Sequence, residues 1–363
     1  MKKVNAYFAE VTNGTLQVPE GAQVQDFSHQ QPTEQGTIER GAKRNALIRG
    51  FSYWSNQKDT PLFSHEPTVN DLKQRMVSNC YMVAGTAGLV NIDPALLKEC
   101  IRDNMDGTVT VRLFEKYVTE EEKQLEAASK AAIQAELDAL QQKVELGEVD
   151  EWDVDALEFE IKAKQYVAKQ SYRPIYVKVS KEIPRMVGGA DALSAGALWM
   201  QMIEKACAFV GRDAVKGYKS LWYGEGGAFL ERLLGVEPEP VGTANEEQLF
   251  DDICNCLQNK VVYNAGTGGG AGKSDGLNAG HAYTVMGGKP VGNQRFVLLR
   301  NPYSTMALQQ LEDGTKTRTG KHLDTHSDET YGQFYMEFEE FLQKFRNLTR
   351  IDLNKVQRNP SAT

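Results

Sequence analysis

The sequence predicts an α+β fold, with a mostly helical first part, a mostly β second part and a helical hairpin inserted into the first. Three observations carry this prediction. Apolar residues recur at three- and four-residue spacing in "AGALWMQMIEKACAFVG", as on a buried helix. They alternate or run short in "KVVYNAG", "AYTVMGG" and "QRFVLLRNP", as in strands. Between two strand-like runs lies a stretch from 119 to 170 rich in Ala, Glu, Lys, Leu and Gln.

Each element follows from its own residues. Residues 1–60 are polar and turn-rich, as in "VPEGAQVQDFSHQQPTEQG", and read as a loosely ordered arm with room for one short strand. "CYMVAGTAGLVN" follows Ser78 and Asn79, two residue types that begin helices, and has the size of a short buried helix with Cys80 in its first turn. "DGTVTVRLFEKYV" alternates as a strand. In the 119–170 stretch Leu125, Ile133, Leu137 and Leu140, then Leu157, Phe159, Ile161 and Tyr166, mark two helices, and "LGEVDEWD" breaks the pattern between them. This αα-hairpin reads as a charged, solvent-facing insertion, or as an element that meets a partner. Strand character returns with "PIYVKVSKEIP", and Gly211 closes the periodic helix before it gives way to strands past Pro240. The last run, "GQFYMEFEEFLQKFRNLTRIDL", reads as strand, short helix, strand.

Bulk properties exclude several classes. At 363 residues the chain can bury a substantial core in one large domain or two to three smaller ones. A formal charge of -8, with no Lys/Arg block carrying interleaved aromatics, argues against nucleic-acid binding. "MKKVNAYFAEVTNG" lacks the apolar core of a Sec signal. The longest nearly apolar run, Cys80 to Val90, falls short of the roughly 18–20 residues that span a bilayer. Five cysteines, an odd number, do not form a disulfide framework, and no Cys/His pair completes a zinc set around Cys254 and Cys256. A reducing compartment, cytoplasmic or reached by a non-Sec export route, fits this pattern.

The stretch "GTGGGAGKSDGLNAGHAYTVMGG" invites a phosphate-loop reading, which fails. Counting back from Gly272-Lys273-Ser274, the required glycine falls on Thr267, and a loop and strand follow where a helix is needed. A mobile glycine-rich loop before His281 is what remains. Cys80 at a helix start has the setting that favours a thiolate, His281 could share its proton, and Asn301 in "LLRNPY" could orient the imidazole. Gln74, six residues before Cys80, could offer its amide to an oxyanion beside the Cys80 backbone N–H. Each residue alone has a plainer reading: core cysteine, structural histidine, Asn-Pro turn.

The blocks "QRMVSNCY", "LWMQMIEKACAFVG", "GHAYTVMG", "LLRNPY" and "GQFYMEFEEFLQKF" together resemble, in this order, the motifs of the calpain family of papain-like cysteine proteases. The resemblance covers roughly residues 60–355. It implies a papain-like two-lobed core, with a first lobe at 61–211, a second lobe at 212–355 and a tail at 356–363, while the hairpin 119–170 inserted in the first lobe lies outside the family pattern. It also implies a cysteine endopeptidase in which Cys80 is the nucleophile, His281 the general acid/base, Asn301 its orienting partner and Gln74 part of the oxyanion hole. Tyr81 and Tyr303 stand where the family usually has Trp. The loop 266–280 would lie beside the cleft and gate it. Of the acids that bind calcium in animal relatives, Asp71 is matched, whereas Ala197, Tyr331 and Gln333 occupy other such positions. Activity without calcium, and without any cofactor, is therefore expected. Substrates would be proteins or peptides. The alternatives are a non-catalytic papain-fold binding module, or a transglutaminase or acyltransferase using the same Cys-His pair.

Overall fold

The computed structural model describes residues 13–39, 51–150, 153–186, 188–212, 214–268, 276–304, 308–310, 316–318 and 331–358. The chain divides at Phe114/Glu115 and Arg173/Pro174, so that residues 115–173 form a unit of their own. Along the chain come β1 (Val24–Asp26), β2 (Gln30–Pro32), β3 (Thr37–Glu39) and β4 (Phe51–Asn56), then α1 (Cys80–Ile92), α2 (Pro94–Lys98), β5 (Ile101–Asp103) and β6 (Thr108–Tyr117). Helices α3 (Glu120–Glu145) and α4 (Val154–Ala163) follow, then β7 (Ser171–Ser180), β8 (Glu182–Met186), α5 (Leu198–Val210) and α6 (Gly226–Leu234). Next are β9 (Glu239–Pro240), α7 (Glu246–Cys254), α8 (Cys256–Asn259), β10 (Val261–Thr267), β11 (Ala282–Val291) and β12 (Gln294–Arg300). The chain continues through β13 (Leu308–Gln310), β14 (Lys316–Arg318), β15 (Gln333–Glu337), α9 (Phe338–Lys344) and β16 (Phe345–Asp352). Helix and sheet are mixed, as an α+β class requires.

In the larger unit, one sheet has the strand order β1-β7-β6-β5 and another the order β13-β14-β15-β12-β11-β10-β16-β9. Helix α1 carries no polar face: every residue from Cys80 to Val90 is buried. Such a helix must be covered all round, and α1 is, by α6, β10 and β11. Small residues let the backbones approach. A Cβ on Gly88 would stand 2.4 Å from Val262 Cγ1, and one on Gly85 would stand 3.1 Å from the Gly226 carbonyl oxygen. Thr284 Oγ1 on β11 donates to the Ala84 carbonyl of α1 at 2.7 Å. Helix α5 is buried from Trp199 to Phe209 and ends at Gly211, whose φ of 76° suits glycine. Its buried Lys205 donates to the Ser180 and Glu182 carbonyls at 2.9 and 2.7 Å, which ties α5 to the β7–β8 corner. A second core joins the large sheet to α7 and α9 through Phe250, Ile253, Tyr283, Phe338 and Phe341.

Two expectations need correction. The stretch before residue 60 supplies sheet edges: β1 pairs parallel with β7, and β4 pairs antiparallel with β8. Its pairing rests on backbone groups, and β1 is exposed at all three positions, so hydropathy gave no sign of it. The region past Pro240 opens with a helix, α7, where strands were expected. Asn245 caps it by accepting from Gln248 N at 3.1 Å, and the Asn-x-x-Gln spacing was the overlooked signal.

In the smaller unit, Thr119 caps α3 by accepting from Glu122 N at 3.2 Å, with three glutamates in the first turn. Ile133 and Leu140 are buried, but Phe159, counted in the apolar repeat, is 75% exposed. Polar links do much of the joining: Tyr166 N donates to Ser129 Oγ at 2.8 Å, and Lys164 pairs with Glu136 at 2.9 Å. Among the described residues no helix is long and apolar enough to cross a membrane.

The α1 contact gives a stability prediction. Gly88→Ala forces a methyl group against Val262 and lowers unfolding stability by about 1–3 kcal/mol. Urea titration will read this as a lower midpoint at unchanged slope.

Candidate active site

The site residues come from ends of elements. Cys80 is the first residue of α1, and burial pushes its thiol up. Three backbone N–H groups, of Ala282, Tyr81 and Cys80 itself, pull the other way by favouring the thiolate. His281 lies immediately before β11. It is pinned to the end of β10 by His281 N donating to Thr267 Oγ1 at 3.0 Å and Thr267 N donating to the His281 carbonyl at 2.9 Å.

Asn301 follows β12 and is fully buried. Its Oδ1 lies 3.0 Å from His281 Nε2 and accepts from Tyr303 N at 3.0 Å, while its Nδ2 donates to Asn278 Oδ1 at 3.2 Å. An oxygen that already accepts from Tyr303 N fixes the amide orientation, so His281 Nε2 carries the hydrogen and Nδ1 is left as the acceptor. Tyr303 stacks on the imidazole, with centroids 4.6 Å apart and planes at 16°, and Tyr283 meets it edge-on at 5.2 Å. Burial pushes the imidazole down to about 4, against the opposing pull of Asn301.

Cys80 and His281 line one cavity of about 190 Å³, together with Tyr223, Glu225, Asn264 and Thr349 among others. Among the described residues no hydrogen bond joins Cys80 to His281. Gln74 is buried and not among the residues that line this cavity. Its Nε2 donates to the Val77 carbonyl and its backbone N to the Pro302 carbonyl, both at 2.9 Å. Of the loop expected to gate the cleft, residues 269–275 lie outside the described residues, Gly272, Lys273 and Ser274 among them.

The residues matched to calcium positions have other surroundings. Asp71 Oδ2 accepts from Thr68 N at 2.8 Å, and Asp71 Oδ1 sits 3.3 Å from His65 Nε2. Ala197 is buried at the start of α5, Tyr331 has a φ of 53°, and Gln333 begins β15. Among the described residues no group of three or more His, Cys, Asp or Glu side chains could hold a metal ion. All five cysteines are free, and among the described residues Cys254 and Cys256 belong to no group of three or more metal-ligating side chains.

Sequence reasoning missed three groups around the site, two buried and one exposed. Glu204 on α5 is fully buried and accepts from Asn79 Nδ2 and from Ser194 N. Arg300, the residue before Asn301, is fully buried and donates from Nη2 to the Leu72 carbonyl and to Ser304 Oγ. Burial pushes its guanidinium down to about 10. Tyr223 holds a left-handed φ of 54°, with Arg212 donating to its carbonyl and to that of Trp222. A charged Glu-Lys pair inside the otherwise apolar "LWMQMIEKACAFV" was the available signal for Glu204.

Two titrations act on stability in opposite directions. His281 moves from 6.5 to about 4 on folding, so its contribution is complete above about pH 6.5 and is lost as pH falls through 4. Burial raises Glu204 from 4.5 to about 7, so its contribution is complete below about pH 4.5 and is lost as pH rises through 7. Melting temperatures across pH 4–8 check both. His281→Gln flattens the decline on the acid side, and Glu204→Gln flattens the decline on the alkaline side.

No curated protein matches the chain. A family model described as calpain family cysteine protease matches residues 187–351, which contain Glu204, His281 and Asn301 but neither Gln74 nor Cys80. Across that segment the chain is calpain-like, and the activity class this family implies for it is that of a cysteine-type peptidase.

Proposed function

We propose that the chain is a calpain-like cysteine endopeptidase of papain-like, two-lobed design that works through Cys80, His281 and Asn301. The observation that carries this reading is the shared cavity of Cys80 and His281, with the imidazole held by Asn301 so that Nδ1 is free to accept a proton. Burial favours the neutral forms of both groups, pushing His281 down and Cys80 up. Substrate attack then couples two events. Nδ1 takes the thiol proton while sulfur forms a bond to the peptide carbonyl carbon. The C–N bond breaks as the imidazolium returns that proton to the departing amine, and water hydrolyses the thioester.

The oxyanion would be met by the Cys80 N–H and by the second amide hydrogen of Gln74, since the first goes to Val77. Tyr303 would keep water from the His281–Asn301 bond by stacking over the ring. Activity would need no calcium, because Ala197, Tyr331 and Gln333 offer no carboxylates and Asp71 is engaged with Thr68 and His65. Proteins or peptides would be the substrates.

The test is reaction of the full chain with a papain-type electrophilic inhibitor, read by intact mass, first in chelator and then in added calcium. One adduct in chelator, absent from Cys80→Ala, is expected, with hydrolysis of unfolded protein substrates lost in the same variant. Labelling only in calcium would overturn the calcium part of the proposal. Absence of labelling in both conditions would overturn the catalytic part and favour a binding module.

A further inference from the structure

Asn79 immediately precedes Cys80 and is the cap residue of α1, yet its side chain makes no capping bond. Ordinarily the oxygen of such an asparagine accepts from the N–H of the second or third helical residue. Here Asn79 Oδ1 is buried and accepts nothing, while Asn79 Nδ2 is drawn to Glu204. Glu204 is itself fixed by Ser194, whose N and Oγ both donate to the carboxylate, from the segment just before α5. An orphaned cap oxygen carries a desolvation penalty, so something else must favour this arrangement.

The first turn indicates what is gained. Met82 N and Val83 N already donate to the Asn79 carbonyl, which leaves the Cys80 and Tyr81 N–H groups unclaimed by the helix. Tyr81 is the second helical residue, so its N–H is one that a capping asparagine would take. That same N–H is among the three that favour thiolate at Cys80. A capped α1 would be a better helix with a weaker nucleophile.

We propose that Glu204 is a positioning residue that holds the Asn79 side chain off the start of α1, keeping the first-turn N–H groups beside Cys80 uncapped. The proposal rests on the reading of Cys80 as a nucleophile and adds to it a residue on a different helix. The groups that face Glu204 besides Asn79 and Ser194 are Asp191, which raises its proton affinity, and the Cys207 thiol and Tyr218 phenol, both of which burial keeps protonated.

The experiment measures the rate at which iodoacetamide alkylates Cys80 across pH 5–10, by intact mass, with thermal melting as the folding control. Sulfur forms the C–S bond as iodide leaves with the bonding pair, so the rate reports thiolate availability. Serine at 79 is too short to follow Glu204 and is a good cap, whereas alanine cannot cap. Asn79→Ser is therefore expected to melt no lower than Asn79→Ala yet to alkylate about ten-fold more slowly, the effect of one hydrogen bond to a charged group. Glu204→Ala, which removes the acceptor for Asn79 Nδ2, moves the midpoint of the pH profile upward by about one unit, which is the same ten-fold, whereas Glu204→Gln keeps an acceptor and moves it less. If Asn79→Ser reacts as fast as Asn79→Ala, or if Glu204→Ala melts cooperatively with an unshifted profile, the proposal is wrong. Failure of the wild-type chain to alkylate at Cys80 at any pH would instead overturn the nucleophile reading on which it stands.

Discussion

The close approach of α1 to β10 and β11 is the constraint on which the site depends. Cys80 opens the helix and His281 stands at the entrance to β11, so their separation is set by how deeply α1 sinks against those strands. Gly88 removes the side chain that would hold α1 away from Val262 and Thr284 on these strands, and Gly85 does the same towards α6. The Thr284 hydroxyl then fixes the depth through the Ala84 carbonyl. A helix buried on every side has no solvent-facing residues that could absorb a shift, because packed interiors resist small displacements. The same packing that supplies much of the core therefore sets the geometry of the thiol.

How much of this was readable beforehand depended on whether a residue acts through its neighbours in the chain or through distant ones. Helix α1, helix α5 with its Gly211 stop and the strands β10, β11 and β12 announce themselves by local periodicity. His281 and Asn301 were legible because each sits in a short block tied to a strand end. Strand β1 was not, since three exposed residues carry no hydropathy signal and its pairing with β7 spans about 150 residues of chain. The role of Glu204 was hidden for a related reason. A glutamate in an apolar helix implies a buried partner, but nothing local says that the partner is Asn79, 125 positions away. Asn79 even misleads, because its residue type promises a cap that its side chain does not make.

Three buried charged groups near the cavity make hydrogen bonds to backbone groups and neutral side chains. Lys205 ends on the Ser180 and Glu182 carbonyls, Glu204 on Asn79 and Ser194, and Arg300 on the Leu72 carbonyl and Ser304. Hydrogen bonds of this kind fix position more than they add stability, since a buried charge has given up its water to make them.

Arg300 is fully buried. Its Nε and Nη1 are buried without a hydrogen-bond partner, so the guanidinium depends on Leu72 and Ser304 for what compensation it has. Ser304 Oγ donates to the same Leu72 carbonyl at 2.9 Å, and Gln74 N reaches the Pro302 carbonyl at 2.9 Å. Three hydrogen bonds thus join the segment leading to Cys80 with the segment around Asn301. Swinging these segments apart would break all three and leave a buried guanidinium with still fewer partners, the costliest kind of unsatisfied group. Alignment of the two halves of the site is in this way built from the chain's own amide, hydroxyl and guanidinium groups. This gives the proposed independence of calcium a physical basis: an ion is needed to draw two segments together only where the protein has not already bonded one to the other.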